Sequence, residues 1–337
     1  MIKKFFIYFL ILSTFSCGKF VPSERETIGI DSDFPQTQFT PYLGRTTLYT
    51  DLFYKGSTTY PAQFELQNVR RRNGNPAPEL TDVFPVKVWK EAYTGMETSV
   101  EQIEAKRKNE NHPLLEMKQY SGELILWAPA RSSFVRAYPD SGYLFDIKVS
   151  NSGGTRFFKG IKLIPYREQA FFPSNISAGS GMPITPGVTP SSVFMVGDSS
   201  NRNLGNGDVD VYIRKVMIGN PNDNKLTFRF LDKNDQFINP DKFSATDWPN
   251  VVHGFNMQKS ALGVSYDVAF PVPLVPLKTR YTTGDGSLAS VRFSYKRLGF
   301  ANIEETNHVG LNFAIYEPGN WEIVFKFRFD NPKCRND

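Results

Sequence analysis

Trp321, Ile323, Phe325, Phe327 and Phe329 occupy every second position near the end of the chain, opposite Glu322, Val324, Lys326 and Arg328. A period of two belongs to a strand, whose successive side chains point to opposite faces; a helix would scatter these rings around its axis. Burying one large apolar side chain contributes about 1.5–3 kcal/mol. Five on one face make this strand an expected core element, and the chain is expected to be built on sheets.

The same alternation recurs. Val209, Val211 and Ile213 alternate with Asp210, Tyr212 and Arg214, and Leu226, Phe228 and Phe230 with Thr227 and Arg229. Val264, Tyr266, Val268 and Phe270 form a further row. Upstream, Tyr143, Phe145, Ile147 and Val149 alternate with Leu144, Asp146, Lys148 and Ser150, and Asn151 to Gly154 supplies turn chemistry before a returning strand from Arg156 to Ile164. That is a hairpin. Phe64 to Val69, Phe84 to Trp89 and Glu123 to Ala128 read as further strands. One helix is expected to interrupt them: Thr98 and Glu101 form a capping box, Glu104 and Lys108 are spaced as an ion pair, and Pro113 ends it after His112.

The expected fold class is all-β, with two β-sandwich domains. Residues 40–173 read as an immunoglobulin-like sandwich with one helical insertion, and residues 193–337 as a jelly roll or second sandwich. The Ser-, Gly- and Pro-rich stretch 174–192 reads as the linker.

The start of the chain sets location. Lys3 and Lys4 precede an apolar run from Phe5 to Leu12, shorter than the roughly 20 residues a membrane-crossing helix needs. Residues 1–16 therefore read as a signal peptide. Thr14-Phe15-Ser16-Cys17 resembles a bacterial lipobox, whose cysteine thiol is acylated and anchors the mature protein in outer-membrane lipid. A plain secreted protein with an incidental cysteine is the competing reading. Residues 17–39 show no periodicity and read as a tether. The only other cysteine is Cys334; a disulfide to Cys17 would abolish the anchor.

Composition narrows the partners. A hydrophobic fraction of 40%, with 29 Phe and 15 Tyr, is that of a globular chain. The formal net charge of +5 includes Lys3 and Lys4, and what remains implies no nucleic-acid partner.

Catalysis finds little support. His112, His253 and His308 lie far apart and in no metal-ligand spacing. Asp232 to Gln236 begins like a calcium loop, but Phe237 stands where the turn needs glycine. Arg70-Arg71-Arg72 reads as a basic hairpin tip. No catalytic residue, metal or cofactor is expected. A sugar ring would be held by an aromatic face flanked by polar groups. Trp248, in a polar stretch with Pro249, is the first candidate for such a face; Tyr281 and Tyr316 are the next. Burial of Trp248 under a loop is the competing reading.

Asn68 to Arg71, Gly74 to Leu80, Pro85 to Trp89, Tyr93 to Gly95, Ile103 to Arg107 and Pro139 to Tyr143 resemble segments of a family of uncharacterised Bacteroidota lipoproteins. The resemblance implies company with SusC/SusD-type nutrient-uptake proteins, and no catalytic motif comes with it. The expectation is a cell-surface lipoprotein acting as a non-catalytic accessory binding protein for glycan. The alternatives are a structural subunit of an outer-membrane complex and a glycoside hydrolase.

Overall fold

The computed structural model describes residues 26–217 and 223–336; the signal-peptide and Cys17 expectations lie outside them. Nearly all regular structure is β, arranged in several sheets.

Two hydrophobic cores form, one from residues between Phe34 and Leu163 and one from residues between Phe171 and Phe327. In the first, strand Tyr143–Asn151 lies between Gly154–Leu163 and Gln63–Arg71, and Gln38–Phe39 adds parallel to the outer edge of Gly154–Leu163. Tyr143, Phe145, Ile147 and Val149 are all buried, as their alternation requires. Asp146 should point outward, yet it is buried. Both neighbouring strands bulge beside it, and its carboxylate accepts hydrogen bonds from Asn68 Nδ2 (2.9 Å), the Gly160 N–H (2.8 Å) and Arg70 (3.3 Å). A three-stranded sheet (Thr47–Tyr49, Leu124–Leu126, Leu115–Met117) and a two-stranded one (Val83–Trp89, Arg107–Pro113) complete this half.

In the second half, strand Trp321–Phe327 is the second of a mixed five-stranded sheet, antiparallel to the edge strand Val209–Lys215 and parallel to the central strand Lys225–Leu231. A second five-stranded sheet is organised on Glu304–Ile315, which pairs along its length with Ala289–Leu298. Rings from both sheets meet: Phe293 lies 4.9 Å from Phe230, 5.2 Å from Phe228 and 5.4 Å from Phe325. Tilted and edge-on contacts of this kind add about 0.5–1.5 kcal/mol each to the burial of area.

Three expectations are corrected. The strand ends at Phe327, so Trp321, Ile323, Phe325 and Phe327 are buried while Phe329 is 60% exposed. The helix runs only from Val100 to Ala105. Ser99, not Thr98, is its N-cap: Ser99 Oγ accepts from the Gln102 N–H (3.2 Å), one residue later than expected, and Gln102 Oε1 reaches back to the Thr98 N–H (2.9 Å), one residue before the cap. Residues 107–113 pair instead with Val83–Trp89, because seven ladder positions outweigh a second helical turn. Glu104 then faces Lys87 (2.8 Å) and Arg107, and Lys108 pairs with Glu110 (2.6 Å). Third, the segment expected as tether is part of the folded body from residue 26 onward. Phe34 and Phe39 are fully buried, and Asp31 Oδ1 accepts from the Ser57 N–H (2.9 Å) and hydroxyl (2.6 Å).

Phe171 joins the second core, and its strand Phe171–Phe172 pairs with Glu304–Ile315, so that core begins just upstream of the 174–192 stretch.

Candidate functional site

Among the described residues, two contacts between the halves each hold one of the aromatic candidates. The first is a strip of tyrosines around one arginine. Residues 41–43 run parallel to 165–166: the Tyr166 N–H donates to Pro41 O (2.8 Å), the Leu43 N–H to Tyr166 O (3.0 Å), and the Tyr138 N–H to Pro165 O (2.7 Å). These bonds line up three rings, with Tyr166 centred 5.6 Å from Tyr138 and 5.2 Å from Tyr42. The chain then turns at Gly44, whose φ of +81° suits glycine and where a Cβ would lie 2.2 Å from Arg131 Nη1. The turn places Arg45 between two rings, its guanidinium carbon 4.4 Å from the centre of Tyr42 and 4.5 Å from that of Tyr316. Tyr316 is held by its N–H, which donates to Ala170 O (2.8 Å).

Arg45 makes no ion pair or hydrogen bond among the described residues. Its guanidinium lies over the two π faces, and its N–H donors stay available at the edge of the strip. Tyr138 is exposed, and Tyr42, Arg45, Tyr166 and Tyr316 are partly so. The strip can stack flat, apolar ring faces and donate hydrogen bonds to oxygens beside them.

The second meeting place is centred on His253. Its Nε2 lies 2.9 Å from Glu97 O, an acceptor only, so Nε2 carries the proton and Nδ1 accepts from the Tyr93 hydroxyl. The imidazole stacks on Tyr281, 4.9 Å away and inclined by 7°, and meets the edge of Phe255 at 5.1 Å. Burial pushes the Tyr93 phenol well above its usual pKa. Alongside, Arg107 Nη1 donates to Phe270 O (2.7 Å), and Gly95, with φ +75°, approaches Thr279 where a Cβ would be 2.7 Å from Cγ2. Every polar atom of the ring is used within the protein, so this cluster is a joint.

Trp248 is 6% exposed, tilted against Phe293 at 5.4 Å and edge-on to Phe230 at 6.3 Å, with Lys259 Nζ 5.3 Å from the ring. It fills the second core and offers no free face, which corrects the expectation of a sugar platform there. The short turn at Pro249 aims it inward, and Tyr266 Oη holds that turn by donating to Trp248 O (2.5 Å). Tyr281 is also buried, under His253 and Arg280. Of the three candidates, Tyr316 alone belongs to the strip. Tyr42, Tyr138 and Tyr166 are not among the sequence candidates, although each abuts a proline (Pro41, Pro139, Pro165), as Trp248 does.

The remaining sequence features resolve into local structure. His112 sits in a strand and contacts Glu116 (2.8 Å) and Glu110 (3.1 Å). Asp232 Oδ1 closes a turn on the N–H groups of Asn234 (2.8 Å) and Gln236 (2.9 Å). Arg70 and Arg71 pair with Asp146 (3.3 Å) and Glu79 (3.0 Å). Among the described residues no three His, Cys, Asp or Glu side chains converge as a metal site, and no helix is long and apolar enough to cross a membrane. Burial raises the Cys334 thiol to about 11.

An all-β chain of several sheets, with an arginine–tyrosine strip between its two cores, is the class of protein that fold and site define. The chain belongs to the family described as Domain of unknown function (DUF5007), whose model matches residues 53–336. No curated protein and no solved structure matches it.

Proposed function

We propose that this protein is a cell-surface lipoprotein, held in outer-membrane lipid through Cys17, that captures glycan without transforming it. In this reading its two halves are β-sandwiches, and it serves a SusC/SusD-type uptake system as an accessory binder. The observation that carries the reading is Arg45 between Tyr42 and Tyr316, continued by Tyr166 and Tyr138. Sugar rings stack their C–H faces on aromatic rings, and their hydroxyls accept from guanidinium N–H groups. A face lost from such a strip costs about 0.5–1.5 kcal/mol, up to about a tenfold change in affinity. Capture near a transporter raises local substrate concentration with no chemical step.

Affinity electrophoresis through a panel of soluble polysaccharides tests this. Wild-type protein should be retarded by at least one of them, and Arg45→Ala and Tyr316→Ala should each be retarded several-fold less. Migration unchanged in every gel refutes the proposal and favours a structural subunit; release of reducing sugar favours a hydrolase.

A further inference from the structure

Next to the His253 joint, a surface cavity of about 310 Å³ opens beside Glu97, lined by Glu91, Thr94, Met96, Gln102 and Lys106. That volume is at the lower end of the ~300–1,000 Å³ range of small-molecule sites. Its floor is a built feature. Glu97 is 7% exposed, and its Oε1 accepts from the Thr94 N–H (3.0 Å), the Thr94 hydroxyl (3.0 Å) and Lys106 Nζ (2.6 Å). Its Oε2 is buried and has no partner. Leaving a buried acceptor unpaired costs about 1–3 kcal/mol, more for a charged one, so a donor that reaches Oε2 from the cavity through a small shift of the atoms covering it would recover part of that energy.

We infer that this cavity binds a neutral, hydroxyl-rich small molecule of about monosaccharide size. Charge decides against a cation. The Lys106 ammonium already neutralises Glu97 and is fixed by a further bond to Ala92 O (3.0 Å), so a second ammonium beside Oε2 would be repelled. Glu91 at the open rim is exposed, and water screens it. A hydroxyl can donate to Oε2 while a neighbouring hydroxyl accepts from Gln102, whose Oε1 is engaged by the helix cap and whose amide nitrogen makes no hydrogen bond among the described residues. Met96, 80% exposed, and Ala105 offer apolar surface for the C–H face of a ring. The Glu97 backbone is pinned by His253 Nε2, so the carboxylate is held in place before any ligand arrives.

This inference shares a ligand class with the proposed glycan capture but uses none of the residues of the tyrosine strip. Saturation-transfer NMR on the full chain, with glucose, galactose and mannose as neutral probes and n-butylammonium as the cationic one, separates the two. Wild type and Arg45→Ala should both transfer saturation to at least one hexose and not to butylammonium. Gln102→Glu, made in the Arg45→Ala background so that the strip contributes nothing, keeps the helix cap but replaces the donor by an acceptor, and should reduce the transfer at least fivefold; Glu97→Gln in the same background should do the same if it folds. Transfer that survives Gln102→Glu in the Arg45→Ala background, transfer to butylammonium alone, or none to any hexose overturns the inference. Transfer seen in wild type but lost in Arg45→Ala alone also overturns it, while leaving the strip as the sugar site.

Discussion

The guanidinium of Arg45, from the first half of the chain, lies 4.5 Å from the centre of the Tyr316 ring in the second. With Tyr42 4.4 Å away on its other side, it is a cation shared between two π faces. A contact of this kind is worth about 0.5–2 kcal/mol, depending on how far it is desolvated. A double-mutant cycle over Arg45→Ala and Tyr316→Ala, measured by urea unfolding, should give a coupling of about 1 kcal/mol. Additive losses would mean that the pair is merely adjacent.

Phe325 and Phe329 test where the last strand stops. Phe325 is fully buried between Phe230 (5.6 Å) and Phe293 (5.4 Å), and Phe325→Ala should destabilise by about 3–5 kcal/mol. Phe329→Ala, at an exposed position, should stay within about 0.5 kcal/mol of wild type. Equal losses in thermal or urea denaturation would restore Phe329 to the core. Trp248→Ala should resemble Phe325→Ala and unsettle the fold before any ligand contact.

His253 should be observed as the Nε2–H tautomer, with the nitrogen resonances of Nδ1 and Nε2 well separated in the ¹⁵N spectrum of the imidazole. Tyr93→Phe removes the donor to Nδ1 and should cost about 1 kcal/mol, with faster proteolysis between the halves. A proton found on Nδ1 contradicts the assignment.

Glu97 makes stability depend on pH in the acid range. Burial raises its pKa, but the Lys106 ammonium and the Thr94 donors outweigh burial and hold it down at about 2, against an ordinary value of 4.5. The unfolded chain therefore takes up this proton more readily than the folded one. The stabilisation is complete above about pH 5 and drains away as pH falls toward 2, amounting to on the order of 3 kcal/mol. Glu97→Gln should flatten that part of the urea-midpoint profile. An unchanged profile would show that Glu97 titrates normally.

Where alternation is strong, sequence and structure agree. Tyr143 to Val149, Val209 to Ile213, Leu226 to Phe230 and Trp321 to Phe327 are strands with the expected faces inward. Sequence and structure part where a local signal meets a tertiary partner. The Thr98–Glu101 box implied a long helix, but residues 107–113 gained a strand partner in Val83–Trp89. Phe34 and Phe39, isolated in polar sequence, are buried because a sheet edge and a core lie beside them.

A period of two fixes which side of a strand is apolar, and that follows from bond geometry within a few residues; the all-β character was written there. Which rings would stay open to solvent was not, because exposure depends on what the rest of the chain lays over each one. Trp248 is covered by Phe293 and Lys259, whereas Tyr42, Tyr166 and Tyr316, far apart in sequence, converge on or beside Arg45 only when the two halves close together.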